Sequence, residues 1–176
     1  MIEQSGLLVT GKILENYIFN MVENPRTLFV CRGNVYRSRL AEAYLGSLRE
    51  EKESVRSAGV APLRDGNGPI SWSAMRILKN EDLVKFMSRD WTPLIEEHAD
   101  WAEVMIVFEQ KNKELAEAIC GRELNAQVWE MPDVPNETLL PGNEGKLIEM
   151  TEETFLEIKR RVDELHSVLI EELKHD

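Results

Sequence analysis

The residues of this chain that can do chemistry are concentrated in one short stretch, Cys31-Arg32-Gly33-Asn34-Val35-Tyr36-Arg37-Ser38. The cysteine ends an apolar run, and an arginine follows six residues later. An apolar run, a loop with glycine and an alternating charged and apolar segment predict a strand, a tight loop and a helix. A tight loop at a helix N-terminus offers backbone amides and the positive end of the helix dipole, so this stretch is suited to binding an oxyanion.

The side chains of the loop have distinct expected tasks toward a phosphate or an arsenate. Gly33 allows the backbone angles of a tight loop, and Arg37 can offer a fork of two N–H donors. Cys31 is expected beneath the anion, where the amides and the guanidinium favour its thiolate. Ser38 can donate its hydroxyl to the sulfur, and Asn34 can brace the loop. The predicted phosphate-binding residues are Arg32, Gly33, Asn34, Val35, Tyr36, Arg37 and Ser38.

The chemistry that this loop indicates is in-line attack of sulfur on phosphorus, which forms a cysteinyl-phosphate. The leaving group then needs a proton, and a water must later be activated; one carboxylic acid can do both in turn. The candidate acid is Asp133, which lies between two prolines in Met131-Pro132-Asp133-Val134-Pro135. It follows a predicted strand whose end should lie at the same edge as Cys31. The predicted catalytic residues are therefore Cys31, Arg37 and Asp133.

Hydrophobic periodicity along the chain predicts strands that alternate with helices. The predicted strands are 26–30, 54–57, 104–108 and 127–131, with a further short strand at 83–87. The predicted helices are 38–50, 71–79, 111–120 and 151–174, and another opens at Thr92-Pro93 with Thr92 as its cap. This alternation predicts an α/β fold with a doubly wound sheet that carries helices on both faces. Ligands bind beyond the carboxyl ends of such strands, so the loops after Cys31, Ala58 and Pro132 are expected to meet.

Residues 1–25 form a predicted N-terminal helical extension, and residues 26–176 form the main domain. Apolar residues fall on one face of the extension, and Asn24-Pro25 ends it because the residue before proline avoids helical angles. This helix either packs on the domain or docks a partner or a second copy, and both readings stay open.

Composition and charge restrict the class of protein. The 176 residues are 43% hydrophobic and 30% charged, as expected for one globular domain. A net charge of −11 argues against binding nucleic acid or an anionic membrane. No apolar run approaches a membrane span. The two cysteines lack metal-type spacing and suit a reducing cytoplasm, so we expect a cytoplasmic protein with no metal and no cofactor.

Several motifs together resemble the low-molecular-weight protein tyrosine phosphatase family, whose fold is shared with thioredoxin-coupled arsenate reductases. They are Thr27 to Ser38 with Ala41-Glu42, then Ser57-Ala58-Gly59, a weaker match through Ala99-Asp100 and 104–108, and finally Pro132-Asp133, where the family usually has Asp-Pro. The resemblance implies a four-stranded parallel sheet and metal-free hydrolysis of phosphomonoesters. It gives the nucleophile to Cys31, the anion clamp to Arg37 and the general acid to Asp133. The implied substrate is a phosphorylated protein or a small aryl phosphate.

The chain departs from the family pattern in and around the loop. Tyr36 stands where the family commonly has a second cysteine, so Cys31 lacks that partner for a reversible disulfide under oxidation. Arg32 and Arg39 replace a small or apolar residue and a proline, and both are expected to raise the positive potential at the rim. The loops beside the pocket carry no tyrosine or tryptophan, and Trp72 is expected in the core. Val35 stands where family members that resemble protein-arginine phosphatases carry threonine. Its aliphatic side chain favours a tyrosine phosphatase over an arginine phosphatase.

Two other functions remain open at this point. An arsenate reductase would need a relay of further thiols, and the only other cysteine, Cys120, is expected to be a small buried residue at a helix end. A phosphate-binding module with little turnover is supported by Tyr36, Arg39 and the missing aromatic wall. The three histidines are scattered and show no metal-type spacing.

Overall fold

A parallel sheet of four strands forms the centre of the molecule in the computed structural model, which describes residues 24–62 and 69–173. Residues 1–23 of the predicted N-terminal extension lie outside the described residues. The strands are β1 (Thr27–Cys31), β2 (Val55–Gly59), β3 (Val104–Phe108) and β4 (Gln127–Trp129). Their order is β2-β1-β3-β4, and each neighbouring pair is parallel. The predicted four-stranded parallel sheet is thereby confirmed.

Helices cover both faces of this sheet, as predicted. They are α1 (Arg37–Leu48), α2 (Trp72–Asn80), α3 (Glu96–Trp101), α4 (Gln110–Cys120) and α5 (Glu144–Leu173), with short 3-10 helices at Val84–Phe86 and Asn136–Leu139. Apolar side chains of α1, α2 and α5 form the core on one face, and those of α3 and α4 form the core on the other. Among the described helices, none is both long enough and apolar enough to cross a membrane.

The central strand β1 is buried along its whole length because both of its faces are covered. Side chains of a strand alternate between faces, so Phe29 and Cys31 pack on the side of α1, while Leu28 and Val30 pack on the side of α4. The cysteine thus ends the strand on the side from which α1 starts. This alternation decides which helix the Cys31 thiol faces.

The position of β1 in the sheet creates a crevice at its carboxyl end. The chain leaves β1 toward β2 through α1 on one face, and leaves β3 toward β4 through α4 on the other face. The two connections therefore diverge between the neighbouring strands β1 and β3. Such a topological switch point is where ligands bind in open α/β sheets, and here it lies beside Cys31.

Two predicted elements are wrong, and one begins earlier than expected. Residues 83–87 form a 3-10 turn rather than a strand, because Leu83 packs into the core and Phe86 lies against Gly46 of α1, away from a sheet edge. Thr92 does not cap a helix, because its carbonyl accepts a hydrogen bond from the Gly59 amide and α3 begins only at Glu96. Helix α5 begins at Glu144 instead of residue 151.

Candidate active site

The loop between β1 and α1 makes its turn at Asn34, not at the glycine. Asn34 has φ +53°, in the left-handed region, whereas Gly33 does not have a positive φ. A Cβ added at Gly33 would only reach ordinary contact with Val35, at 3.5 Å. Asparagine is one of the few residues other than glycine that adopt this conformation readily. The expectation that Gly33 supplies the unusual angles is therefore wrong, and Asn34 supplies them.

The side chain of Asn34 holds the loop from below through three hydrogen bonds. Its Nδ2 donates to the Ser38 Oγ at 3.0 Å and to the Ser57 Oγ at 2.8 Å. Its Oδ1 accepts from the backbone amide of Thr92 at 2.7 Å. The amide side chain is fully buried, and its bonds to the two serines are buried as well. The structure thus gives Asn34 the bracing contacts that its residue type suggested.

The thiol of Cys31 lies at the bottom of the loop and contacts Ser38. The Cys31 Sγ and the Ser38 Oγ are 3.1 Å apart, and both residues are buried. Ser38 already accepts a hydrogen bond from Asn34, so its own proton is free for the sulfur. This arrangement suits a thiolate that accepts a hydrogen bond from the hydroxyl.

The guanidinium of Arg37 is fully buried and is held by groups from two other strands. Its Nη1 donates to the Glu109 carboxylate at 2.7 Å and to the Met131 carbonyl at 2.6 Å, and its Nη2 donates to Asp133 at 2.7 Å. Its Nε has no partner among the described residues. Burial opposes the charge, but Cys31, Asp133 and Glu109 outweigh it and raise the pKa of Arg37. The Nε–H and a second hydrogen on Nη2 remain for the oxygens of a bound anion.

Glu109 is a site residue that the sequence motifs did not indicate. It directly follows β3, at the same edge of the sheet as Cys31, and that position was the available signal. Its φ of +71° is strained for a residue with a side chain, and such strain is often kept at functional sites. Burial opposes its ionisation, but hydrogen bonds from Lys111 and Arg37 outweigh this and hold the pKa of Glu109 below its usual value. Glu109 is thus an ionised partner for Arg37.

A cavity of about 210 Å³ lies where these loops meet. Cys31 is 2% exposed at its base, while Asp133 has 44% of its side chain exposed. The predicted meeting of the loops after β1, β2 and β4 is therefore confirmed. The loop residues Arg32, Gly33, Val35, Tyr36 and Arg37 also line the cavity. The rest of its lining is aliphatic or hydroxylic, and comprises Ala61, Ser71, Ser73, Val134, Leu139 and Leu147.

The structure shows where three of the residues lie that were noted for departing from the family pattern. Trp72 was expected in the core but is 51% exposed, because it occupies the first turn of α2, after the capping Ser71. Arg39 was expected at the rim but is fully buried, where it pairs with Glu42. Tyr36 packs in the core next to the loop, and burial raises its pKa to about 12, so its hydroxyl stays neutral.

Gly59 is required where β2 passes directly under the loop. A Cβ at this position would lie 2.9 Å from the Asn34 nitrogen and 3.0 Å from the Arg32 carbonyl oxygen, which are backbone atoms. We expect Gly59→Ala to lower the free energy of unfolding by about 1–3 kcal/mol, since the phosphate loop must move. We also expect it to lower kcat. Thermal unfolding and steady-state kinetics measure the two effects.

The matched control for this prediction is Gly145→Ala. Gly145 lies in α5, and a Cβ there meets nothing within 4 Å. Alanine favours a helix over glycine, so stability should stay level or rise. Equal stability and kcat in Gly59→Ala and the wild type would contradict the close approach of β2 to the loop.

Cys120 lies on the opposite face of the sheet from Cys31. It ends α4 and packs among Leu28, Val30 and Val107, whereas Cys31 belongs to the core on the α1 side. Helix α4 starts at the edge of the sheet where Cys31 lies and runs back toward the other edge, which carries Cys120 away from the cavity. Burial raises the pKa of the Cys120 thiol. An arsenate reductase that uses Cys120 as a resolving thiol is therefore not favoured.

Comparisons with known proteins agree with this fold. The family model described as low molecular weight phosphotyrosine protein phosphatase matches residues 26–176. No curated protein matches the sequence significantly. A structure of the YwlE arginine phosphatase, a cysteine-to-serine mutant with a phosphorylated active-site serine, is 25% identical with a TM-score of 0.62, and the match covers 81% of this chain and 94% of that one.

Two further solved structures share the fold. A low molecular weight protein tyrosine phosphatase from Bacillus subtilis is 24% identical with a TM-score of 0.62, over 82% of this chain and 97% of that one. The tyrosine phosphatase Wzb from Escherichia coli K30, in complex with phosphate, is 21% identical with a TM-score of 0.60, over 81% and 96%.

The fold and the matched family together define this protein as a cysteine-based phosphatase. The chain belongs to the low molecular weight phosphotyrosine protein phosphatase family.

Proposed function

We propose that this chain hydrolyses aryl phosphate monoesters, with phosphotyrosine as the preferred residue in proteins, through a cysteinyl-phosphate on Cys31. The observation that supports this most directly is the shared cavity, in which the Cys31 thiol and the Arg37 guanidinium lie under the Asp133 carboxyl. The unpaired Nε of Arg37 and the amides of residues 32–37 offer donors that match a phosphate dianion.

In the first step the Cys31 thiolate attacks phosphorus in line with the ester oxygen. The new S–P bond forms as the P–O bond to the leaving group breaks. Asp133 gives its proton to the departing oxygen, which leaves as an alcohol or a phenol. Arg37 and the loop amides hold the equatorial oxygens, where charge must be stabilised in the transition state.

In the second step water replaces the sulfur. The Asp133 carboxylate takes a proton from the water, whose oxygen attacks phosphorus while the S–P bond breaks. Inorganic phosphate leaves, the Cys31 thiolate is restored, and Asp133 is again protonated. Ser38 supports the thiolate as the leaving group, since its hydroxyl lies 3.1 Å from the sulfur.

The shape of the cavity favours a long phosphate ester. Cys31 is almost fully buried at the base, and aliphatic side chains of Val35, Ala61, Val134 and Leu139 stand above it. A phenyl ring gives the phosphate the reach to the sulfur and buries apolar surface against this wall. A serine ester has a shorter reach and offers no apolar surface, so we propose that it is a poor substrate.

We expect hydrolysis in the presence of EDTA, with kcat/KM about 100-fold higher for a phosphotyrosine peptide than for the matched phosphoserine peptide, because the pocket contacts the ring. A phosphoarginine peptide of the same sequence completes the panel, since a structural neighbour is an arginine phosphatase. Released inorganic phosphate is the readout.

Each result of this panel decides between named functions. Faster turnover of the phosphoarginine peptide would contradict the tyrosine preference while leaving the cysteine chemistry in place. Phosphate binding without turnover of any substrate would identify a binding module. Arsenate reduction with thioredoxin that is lost in Cys120→Ala would contradict the assignment of Cys120 as a packing residue.

A further inference from the structure

Arg39 is the one other arginine beside the loop that is completely buried, among the residues described, and the proposed mechanism does not use it. Its Nη1 donates to the Asp90 carbonyl and its Nη2 to the Ser88 carbonyl. Its Nε lies 3.7 Å from the Glu42 carboxylate, and both side chains are buried. A buried ion pair often stabilises a fold no more than apolar side chains of the same volume would. A role other than stability is therefore worth seeking for this pair.

The Arg39–Glu42 pair begins a chain of hydrogen bonds that ends at the sulfur of Cys31. Glu42 accepts from the hydroxyl of Ser88 and, at 2.8 Å, from the hydroxyl of Ser57. Ser57 accepts from Asn34 at 2.8 Å, Asn34 donates to Ser38 at 3.0 Å, and Ser38 lies 3.1 Å from the sulfur. Ser88 is half-buried, and the other groups in this chain are buried.

Two groups set the direction of the protons in this chain: Glu42, in its carboxylate form, and the backbone amide of Thr92. A carboxylate only accepts hydrogen bonds, so the Ser57 hydroxyl must donate to Glu42 and can only accept from Asn34. The Thr92 amide donates to the Asn34 Oδ1, which leaves Nδ2 facing both serines. Ser38 therefore receives a proton from Asn34 and has its own left for Cys31. Donation to the sulfur favours the thiolate.

Arg39 contacts both groups that orient Asn34, namely Glu42 and the segment that carries the Thr92 amide. Its charge neutralises Glu42, whose burial otherwise favours the protonated acid; burial raises the pKa of Glu42 although Ser88, Arg39 and Ser57 oppose it. Its two Nη groups also clamp the segment from Ser88 to Asp90 that leads to the amide of Thr92.

We propose that Arg39 is a positioning residue that keeps Glu42 ionised and thereby fixes Ser38 as the hydrogen-bond donor to the Cys31 thiolate. This inference rests on the proposed function, because it concerns the reactivity of the proposed nucleophile. Without Arg39, Glu42 takes up a proton and donates it to Ser57. The clamp on residues 88–90 is lost as well, which frees the Thr92 amide from Asn34. The hydroxyl of Ser57 can then turn toward Asn34, the amide reverses, and Ser38 no longer has to donate to the sulfur.

The test is the pH dependence of alkylation of Cys31 by iodoacetamide, read by mass spectrometry of the peptide that contains it. We expect Arg39→Met to raise the midpoint pH by about one unit, the equivalent of one hydrogen bond to a charged group. Arg39→Lys keeps the charge but not the planar fork, and should lie between the wild type and Arg39→Met. At a pH below the wild-type midpoint, kcat should fall in the same order.

The matched control is Arg49→Met, the same change at the other end of the sheet. Arg39 lies in the first turn of α1, and Arg49 directly follows the last turn. Arg49 bonds to the Pro25 carbonyl and to Ser54, near the start of β1 rather than its end. It should lower thermal stability without moving the alkylation midpoint. A midpoint that moves equally in both variants would overturn the proposal.

Direct electrostatics must be separated from the network, because Arg39 and Arg37 each interact electrostatically with Cys31. Glu42 and Asp90 are the opposing charges near Arg39, and Asp133 and Glu109 are those near Arg37. Ser57→Ala removes no charge but cuts the chain between Glu42 and Asn34. We expect it to raise the midpoint as well. A shift in Arg39→Met with none in Ser57→Ala would show that the charge alone acts and would overturn the network.

The remaining outcomes are also decisive. If Arg39→Met does not fold, the midpoints of Arg39→Lys and Ser57→Ala decide for or against the network. Turnover by the wild type with an unchanged midpoint in the Arg39 and Ser57 variants contradicts this inference alone. A wild type that alkylates normally but shows no turnover contradicts the proposed function instead.

Discussion

Replacement of Cys31 by serine is expected to lower kcat by about 10⁴-fold or more, because a serine hydroxyl at this site is a far weaker nucleophile than a thiolate. Phosphate should still bind, since the loop amides and Arg37 remain in place. Steady-state hydrolysis of an aryl phosphate measures the loss. Isothermal titration with inorganic phosphate measures the binding, and rapid quench with mass spectrometry detects the cysteinyl-phosphate in the wild type.

Cys120→Ser is the matched control for this variant, because the same substitution then falls on a buried cysteine on the other face of the sheet. It should leave kcat unchanged and lower only the stability. Turnover of Cys31→Ser at more than a few per cent of the wild-type rate would rule out Cys31 as the nucleophile.

Replacement of Asp133 by asparagine is expected to have an effect that depends on the leaving group. For phenyl phosphate, whose leaving oxygen needs a proton, kcat should fall by about 10²–10³-fold, the usual contribution of a general acid. For 4-nitrophenyl phosphate the loss should be much smaller, because the departing anion is stable without a proton. Parallel kinetics on the two substrates measure the difference.

Glu109→Gln is the control that separates acid catalysis from support of Arg37. Glu109 and Asp133 each accept a hydrogen bond of 2.7 Å from the same guanidinium, but the proton transfer is proposed for Asp133 alone. Glu109→Gln should therefore slow both substrates by the same factor. If Asp133→Asn also slowed both equally, Asp133 would be a partner of Arg37 and not the acid.

The sequence predicted the strand, loop and helix around Cys31 correctly because this arrangement is local. The thiol, the tight turn and the helix N-terminus all lie within Cys31 to Ser38. The alternation of strands and helices likewise predicted the sheet and both helical layers. Cys31 falls at the carboxyl end of β1 for the same reason, since the apolar run ends there.

The local sequence pattern predicted the wrong secondary structure where a segment contacts an element far away in the chain. The Thr92-Pro93 pair has the composition of a helix start, yet its backbone pairs with Gly59 of β2. The segment 83–87 has the composition of a strand, yet β1 to β4 form the described sheet without it and it packs across α1. Propensity is a weak prior that tertiary contacts override.

By itself, then, the sequence determined the fold class and indicated the proposed oxyanion loop and the proposed acid, since each depends on neighbouring residues or on hydrophobic periodicity. Only the tertiary structure decided that Glu109 holds Arg37, that Gly59 must lack a side chain, and that Arg39 is buried beneath the loop rather than exposed at its rim. The physical reason is that these depend on contacts between residues far apart in the chain. In the loop from Cys31 to Ser38, the residues supply the reactive groups, and the elements packed beneath them set the charge and the proton positions on which reactivity depends.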